Sequence, residues 1–96
     1  MTLDELRSQY RAEVLGLAER HGARNVRVFG SVVRGEEKPC SDVDFLVEFE
    51  PGRSLLDCAG LWLDLQELLG CQVDLVEDGG ISPYLHDRIL AEARPL

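Results

Sequence analysis

The sequence predicts an α/β fold of the α+β type, in which a small mixed sheet is flanked by about four helices. Two observations support this prediction: apolar residues alternate in three short segments, and they recur at helical spacing between those segments. The 96 residues are near the commonest domain size, and a hydrophobic content of 45% is ordinary for a globular chain. We therefore expect residues 1–96 to form a single domain with its own core.

The elements of the first half follow from caps and spacing. A capping box, "TLDE" at residues 2–5, predicts a helix start. Apolar residues then recur at helical spacing until a stop at Gly22: Leu3, Leu6, Tyr10, Val14 and Leu17. The segment "NVRVFG", Asn25–Gly30, alternates as a strand does. A short helical turn and a loop follow, interrupted by Gly35 and Pro39.

The second half repeats the alternation of strand and helix. "DVDFLVEF", Asp42–Phe49, predicts the second strand, and Ser54 is placed to cap a helix that runs to about Gly70. "CQVDLVE", Cys71–Glu77, predicts a third strand. The last helix begins at "SPYLHDRILAEA", with Ser82 as its cap and proline at the first helical position.

The third helix, "LLDCAGLWLDLQELLG", carries apolar residues on more than one side. A helix that is apolar on several sides is expected to be buried on several sides. Two interpretations stay open: a central helix buried within the domain, or a helix whose second side is covered by a partner protein.

Charge and cysteine content exclude several classes of function. The net charge of −8 argues against direct, sequence-independent binding to nucleic acid; it suits metal cations or a basic partner, or simply favours solubility. Cys40, Cys58 and Cys71 form no C-x-x-C pair, so neither a zinc site nor a disulfide framework is expected. His21 and His86 are interpreted as surface or packing residues. We expect a cytoplasmic chain without a membrane segment.

Two aspartates stand one residue apart in the second strand. Side chains at i and i+2 share one face of a strand, so Asp42 and Asp44 project together. At ~5 Å and an effective dielectric constant of ~20, their charges repel by roughly 3 kcal/mol. If the second and third strands pair, Asp74 joins them, and three carboxylates can hold two Mg²⁺ ions. The alternative is that Asp42 merely starts a strand, whereas Asp44 and Asp74 face solvent.

Gly30 and Ser31 follow the first strand directly and open a short helical turn. Free amides at a helix start bind phosphate groups, and glycine leaves room for a ligand to approach. This segment is therefore a candidate phosphate site beside the acidic strand.

A known family combines these features. Gly30, Ser31, Arg34 and Gly35, followed by "SDVD" at residues 41–44, resemble the G-S-x-x-R-G…S-D-x-D signature of the polymerase-β-like nucleotidyltransferases. The third strand "VDLVED" and the ending "ISPYLHDRILAEARPL" are similar to the minimal nucleotidyltransferase (MNT) branch. The resemblance implies the minimal polymerase-β-like nucleotidyltransferase fold over essentially the whole chain beyond the first helix.

The resemblance also implies roles for individual residues. Asp42 and Asp44 would bind two Mg²⁺ ions, and Asp74 would complete the site and help to activate the attacking hydroxyl. Gly30 and Ser31 would hold the β and γ phosphates of the nucleotide. For Arg34 we expect a structural role instead, in which it pairs with a neighbouring acid.

In function, the resemblance implies a Mg²⁺-dependent protein adenylyltransferase that transfers AMP from ATP. In the MNT branch the acceptor is a tyrosine of a HEPN-family RNase toxin, so a hetero-oligomer with such a toxin is expected. Two alternatives stay open: an antitoxin that neutralises its partner by binding alone, and a small-molecule transferase of the aminoglycoside type. The second is less favoured, because no acceptor-binding domain is expected in this chain.

Overall fold

The computed structural model describes residues 2–36 and 42–96. Its elements are α1 (Leu3–Glu5), a π-helical turn (Leu6–Tyr10), α2 (Arg11–Arg20), β1 (Ala23–Phe29), α3 (Ser31–Arg34), β2 (Val43–Phe49), α4 (Leu55–Leu69), β3 (Val73–Glu77), a 3₁₀ turn (Asp78–Gly80), α5 (Pro83–Glu92) and β4 (Arg94–Pro95). The predicted fold class and element order are confirmed, and β4 is an additional strand. Pro39, Cys40 and Ser41, to which the sequence analysis assigned loop and motif positions, lie outside the described residues.

Capping side chains define the helix ends at the positions that the sequence predicted. At the start of α4 the Ser54 hydroxyl accepts a backbone hydrogen bond, and the Ser54 amide donates to the Asp57 carboxylate over 2.9 Å. Gly70 ends the same helix in the left-handed conformation, with φ at +66°. At the starts of α1 and α5 the hydroxyls of Thr2 and Ser82 accept hydrogen bonds from the backbone amides of Glu5 and Tyr84. Among the helices of the described residues, none is long and apolar enough to cross a membrane.

The four strands form one mixed sheet in the order β3-β2-β1-β4. β2 lies antiparallel to β1 and parallel to β3, with α4 as the crossover between the two parallel strands. The short β4 lies antiparallel to β1 at one edge of the sheet, the position where a proline such as Pro95 is tolerated.

A bulge in β1 sets which side chains face the core. The register against β2 shifts between Arg24 and Arg27, and Asn25 adopts a φ of +52°, which asparagine tolerates better than most residues. The extra residue lets Ala23 and Val26, three positions apart, both be buried. The rest of β1 then alternates regularly towards Phe29.

The core lies between one face of the sheet and the helices α2 and α4. We call this the inner face. It is built from buried apolar side chains of both layers: Val14, Ala18, Val28, Val43, Phe45, Val47, Leu61, Leu65, Leu69 and Val73. The opposite, outer face carries the alternate residues of β2, among them Asp44 and the fully buried Leu46.

Two leucines of α4 provide a matched test of this packing. Leu65→Ala is expected to lower the free energy of unfolding by about 2–5 kcal/mol, because the side chain is 1% exposed and its removal leaves a cavity. Leu63→Ala, on the same helix but 56% exposed, is expected to change it by no more than about 0.5 kcal/mol. Urea unfolding followed by circular dichroism measures both values. Equal losses in the two variants would contradict the assignment of the core side of α4.

Candidate functional site

The sheet register brings two of the three predicted acidic residues side by side. Asp44 of β2 pairs directly with Asp74 of β3 in the parallel ladder. On its other side, Asp44 pairs with Phe29, the last residue of β1, so the β1–α3 junction at Gly30 lies next to the same carboxylate. Asp74 was expected to join the other acids only if the second and third strands pair, and this pairing is present.

The carboxyl groups of Asp44 and Asp74 lie side by side in the ladder, and their proximity favours the protonated form of Asp44. The pKa of Asp44 is raised to about 6, first by burial, then by the hydrogen bond to Asp74 and by the negative charges of Asp74 and Asp42. The positive charge of Arg34 opposes this rise. The arrangement therefore concentrates negative charge that a proton partly neutralises.

Asp42 stands one residue before β2 and is exposed. Its charge acts on Asp44, so it belongs to the same electrostatic environment. Within residues 2–36 and 42–96, however, no three His, Cys, Asp or Glu side chains are positioned together to hold a metal ion. Asp44 and Asp74 are thus neighbours, whereas the assignment of all three aspartates as ligands stays a prediction.

The Asp44–Asp74 pair has the chemistry that a hard divalent cation requires. Its donors are carboxylate oxygens, the ligands that Mg²⁺ prefers. Repulsion between neighbouring carboxylates contributes to the raised pKa of Asp44, and a cation bound between them would relieve that repulsion. The residues present therefore fit such an ion.

Gly30 makes the close approach of Asp44 possible. Its backbone has φ +80° and ψ −153°, a combination that is essentially restricted to glycine. A Cβ atom at this position would lie 2.0 Å from Oδ2 of Asp44. This glycine was expected to give a phosphate room to approach, and in the structure it also makes room for the Asp44 carboxylate.

The start of α3 presents backbone amides beside this carboxylate. Val33 and Arg34 both donate their amides to the Gly30 carbonyl, over 3.1 Å in each case. The amides of Ser31 and Val32 precede these bonds and stand at the open end of the helix. Ser31 itself is half-buried. The predicted phosphate-binding segment is therefore adjacent to the predicted acidic residues.

Arg34 pairs with acids, as predicted. Its guanidinium lies 3.0 Å from the Glu36 carboxylate and also contacts the carboxylate of Glu92 at the end of α5. No motif pointed to Glu92, because 58 residues separate the two partners. The contact between Arg34 and Glu92 links α5 to α3.

Polar contacts also fix the two histidines, which the sequence analysis assigned to the surface or to packing. His21 lies 2.7 Å from Asp64 of α4, and His86 of α5 lies 2.9 Å from Asp78. Asp78 also binds Arg27 of β1 over 2.9 Å. Hydrogen bonds from Arg27 and His86 lower the pKa of Asp78. The Asp78 carboxylate therefore links α5 to β1 through its contacts with these two residues.

A cleft of about 410 Å³ lies at the opposite end of β2 from Asp44. Phe49, Glu50, Arg53 and Cys58 contribute to its walls. Burial is the main cause of a raised pKa for the Cys58 thiol, which disfavours the reactive thiolate. This cleft is therefore separate from the Asp44–Asp74 pair.

Comparison with known proteins identifies the class. Residues 14–96 match the family model described as "Nucleotidyltransferase domain". The chain belongs to this nucleotidyltransferase family, which confirms the resemblance found in the motifs. It is 45% identical over 92 residues to the protein adenylyltransferase MntA of Thermococcus cleftensis, an alignment that covers 96% of this chain and 93% of the relative.

Solved structures support the same fold. A structure described as a candidate minimal nucleotidyltransferase matches with a TM-score of 0.87 and 54% identity, and the match covers 100% of this chain and 97% of that one. A second match is a complex of a tri-AMPylated HEPN toxin from Shewanella oneidensis with an MNT antitoxin. Its TM-score is 0.67 at 19% identity, covering 88% of this chain and 66% of that one, so the likeness concerns the fold.

The raised pKa of Asp44 predicts an unusual stability change in Asp44→Asn. Because the folded protein holds the proton more tightly than the unfolded chain, Asp44 stabilises the fold below about pH 4. This contribution is lost as pH rises through about 6, the pKa of Asp44 in the fold. Asparagine does not titrate, so Asp44→Asn does not lose this contribution as pH rises. Between pH 4.5 and 7.5 we therefore expect its free energy of unfolding to rise relative to that of wild type by on the order of 1–2 kcal/mol, after allowance for solvent screening.

Urea unfolding in EDTA at the two pH values measures this difference. Asp87→Asn is the matched control, because that carboxylate is 96% exposed on α5. A stability difference between Asp44→Asn and wild type that is the same at both pH values would contradict the raised pKa of Asp44.

A second prediction concerns Gly30. Gly30→Ala is expected to destabilise the fold by at least about 1 kcal/mol more than Gly52→Ala. Both positions have positive φ, +80° and +89°, but a Cβ at Gly52 would meet nothing within 4 Å, whereas one at Gly30 would strike Asp44. Only Gly30→Ala should change the pKa of Asp44 in a carboxyl NMR titration. An unchanged titration curve would show that Gly30 does not make room for this side chain.

Proposed function

We propose that this chain is a Mg²⁺-dependent protein adenylyltransferase, the antitoxin of a HEPN/MNT pair, which transfers AMP from ATP to a tyrosine of its HEPN toxin. Residues 1–96 would act as a single minimal nucleotidyltransferase domain in the cytoplasm. The observation that carries the proposal is the Asp44–Asp74 pair, set beside the amides of the Gly30–Ser31 turn. An acidic pair next to a phosphate-binding turn suits the transfer of a nucleotidyl group.

The relatives support the choice of reaction and acceptor. The Thermococcus cleftensis relative is named as a protein adenylyltransferase, and the chain aligns with almost its whole length. The Shewanella oneidensis complex joins an MNT antitoxin to an AMPylated toxin. We extend both properties to this chain, so that the acceptor is a protein hydroxyl and the donor is ATP.

Asp42, Asp44 and Asp74 would hold the metal. When bound, Mg²⁺ supplies positive charge to the phosphate oxygens and lowers the pKa of a coordinated hydroxyl. Because Asp42 is exposed at the entry to β2, its side chain can reorient towards the Asp44–Asp74 pair. A proton held by Asp44 must leave before this carboxylate binds a cation.

The chain's own residues supply positioning and proton transfer. Amides of Ser31 and Val32, with the Ser31 hydroxyl, would hold the β and γ phosphates. The tyrosine oxygen attacks the α-phosphorus while the bond to the pyrophosphate oxygen breaks, and Asp74 accepts the phenolic proton. Pyrophosphate leaves with both electrons of the broken bond. Arg34, held by Glu36 and Glu92, keeps α3 in the orientation that aims these amides.

The test is the intact mass of the HEPN toxin after co-expression with wild type, Asp44→Asn or Asp87→Asn. We expect mass increments of AMP with wild type and with Asp87→Asn, and loss of the modification by at least about 100-fold with Asp44→Asn. The control removes an equally charged but fully exposed carboxylate, so it separates chemistry from net charge.

The alternatives give different outcomes. The toxin could stay unmodified, yet be bound and inactive, after co-expression with each of the three variants: wild type, Asp44→Asn and Asp87→Asn. This result would identify an antitoxin that acts by binding alone. Turnover of an aminoglycoside by the isolated chain, without toxin modification, would identify a small-molecule transferase. Either result would overturn the proposed reaction.

A further inference from the structure

One side of α4 is apolar and faces solvent. Leu55 is 87% exposed, Leu56 is 84% exposed and Leu63 is 56% exposed, and the small Ala59 lies between them. Residues 55, 59 and 63 follow at intervals of four, and residue 56 is adjacent, so all four share one side of the helix. We call these four residues the α4 stripe.

The core does not use the α4 stripe. The opposite side of the helix already supplies Leu61, Leu65 and Leu69 to the core, each of them buried. Isolated exposed leucines are common, but several in a row along two turns mark an interaction surface more often than an ordinary solvent face. Burial within the domain, one of the two interpretations that the sequence left open, therefore accounts for one side of α4 and leaves the α4 stripe exposed.

The charge around the stripe indicates the chemistry of its partner. α4 contains Asp57, Asp64 and Glu67 and no basic residue. Asp57 is paired with Arg53 and Asp64 with His21, whereas within the described residues no ion pair is found for Glu67. A second copy of this chain, with a net charge of −8, would bring like charges together. A partner with basic residues beside its apolar surface is complementary.

We propose that the α4 stripe docks an apolar helix of the partner protein, flanked by Lys or Arg residues. A ridge of side chains along a helix packs best into the groove of another helix. The inference rests on the proposed function only for the identity of that partner, the HEPN toxin. Because α4 packs on the inner face and Asp44 lies on the outer face, docking and transfer use different surfaces of the molecule.

Trp62 provides a reporter at the edge of the stripe. It is the only tryptophan of the chain, is 36% exposed, and donates its indole Nε1–H to the Val73 carbonyl. A chain labelled with 5-fluorotryptophan therefore gives one fluorine resonance. Titration with purified HEPN toxin is expected to shift or broaden that resonance.

The principal variant is Leu56→Ser combined with Leu63→Ser, and Leu85→Ser is the matched control. Leu85 is 50% exposed but lies on α5, away from the stripe. In calorimetric titrations we expect the double variant to bind the toxin at least about tenfold more weakly and Leu85→Ser to bind within about twofold of wild type. Wild-type affinity in the double variant, or equal losses in both variants, would overturn the proposal.

A second variant, Glu67→Lys, keeps every leucine and reverses the charge beside the stripe. It is expected to weaken binding and to reduce the dependence of affinity on salt concentration. Unchanged thermal midpoints establish that both variants fold. Sedimentation velocity of the chain alone tests whether a second copy of this chain covers the stripe instead. If wild type forms a dimer and the double variant does not, the stripe is a dimer interface and the proposal is overturned.

The two proposals fail in different ways. At toxin concentrations far above the dissociation constant, the double variant should still transfer AMP, whereas Asp44→Asn should bind the toxin and transfer nothing. A toxin that binds through the stripe but is never modified would contradict the proposed function and still support the docking surface.

Discussion

The register of β2 between its two neighbours is the constraint on which the site depends. It sets Asp44 beside Asp74 on one side and beside the end of β1 on the other. A slip of one residue would turn Asp44 into the core and expose Phe45, which is fully buried. The bulge at Asn25 protects this register, because it keeps the apolar residues of β1 inward while Phe29 still pairs with Asp44. Core packing therefore determines the position of the charged residues.

Much of this could be predicted from local patterns. Alternation identified β1, β2 and β3, and capping side chains placed the starts of α4 and α5 to the residue. The two-residue β4 escaped prediction, because its pairing depends on the free edge of β1 and its proline is a poor strand former. The contact between Arg34 and Glu92 joins distant segments, so only the folded arrangement reveals the second acid.

At the site, the residue types were predictable but the geometry was only partly so. The i, i+2 spacing correctly placed Asp44 on the outer face, and the parallel pairing supplied Asp74. Asp42 lies just before the first paired residue of β2, so the ladder does not hold its side chain against the other two. The role of Gly30 in making room for Asp44 could not be read from the motif, because it depends on a contact across two strands.

The site is kept at some cost to stability, and the inner face compensates for it. Asp44 is partly buried beside a like-charged neighbour, and Gly30 holds a backbone conformation that other residues avoid. Alternate residues of the same strand, Val43, Phe45 and Val47, are almost completely buried against α2 and α4. The period of two in β2 thus places Val43, Phe45 and Val47 in the core and Asp44 on the opposite face, where its carboxylate meets Asp74.

α4 connects the two surfaces of the molecule. As the crossover helix it leads directly into β3, and its side chains hold the first residue of that strand from both sides. Trp62 donates to the Val73 carbonyl, and the Val73 amide donates to Gln66 over 3.3 Å. Asp74 is the next residue, so the helix that carries the exposed leucines also fixes the backbone beside the acidic pair.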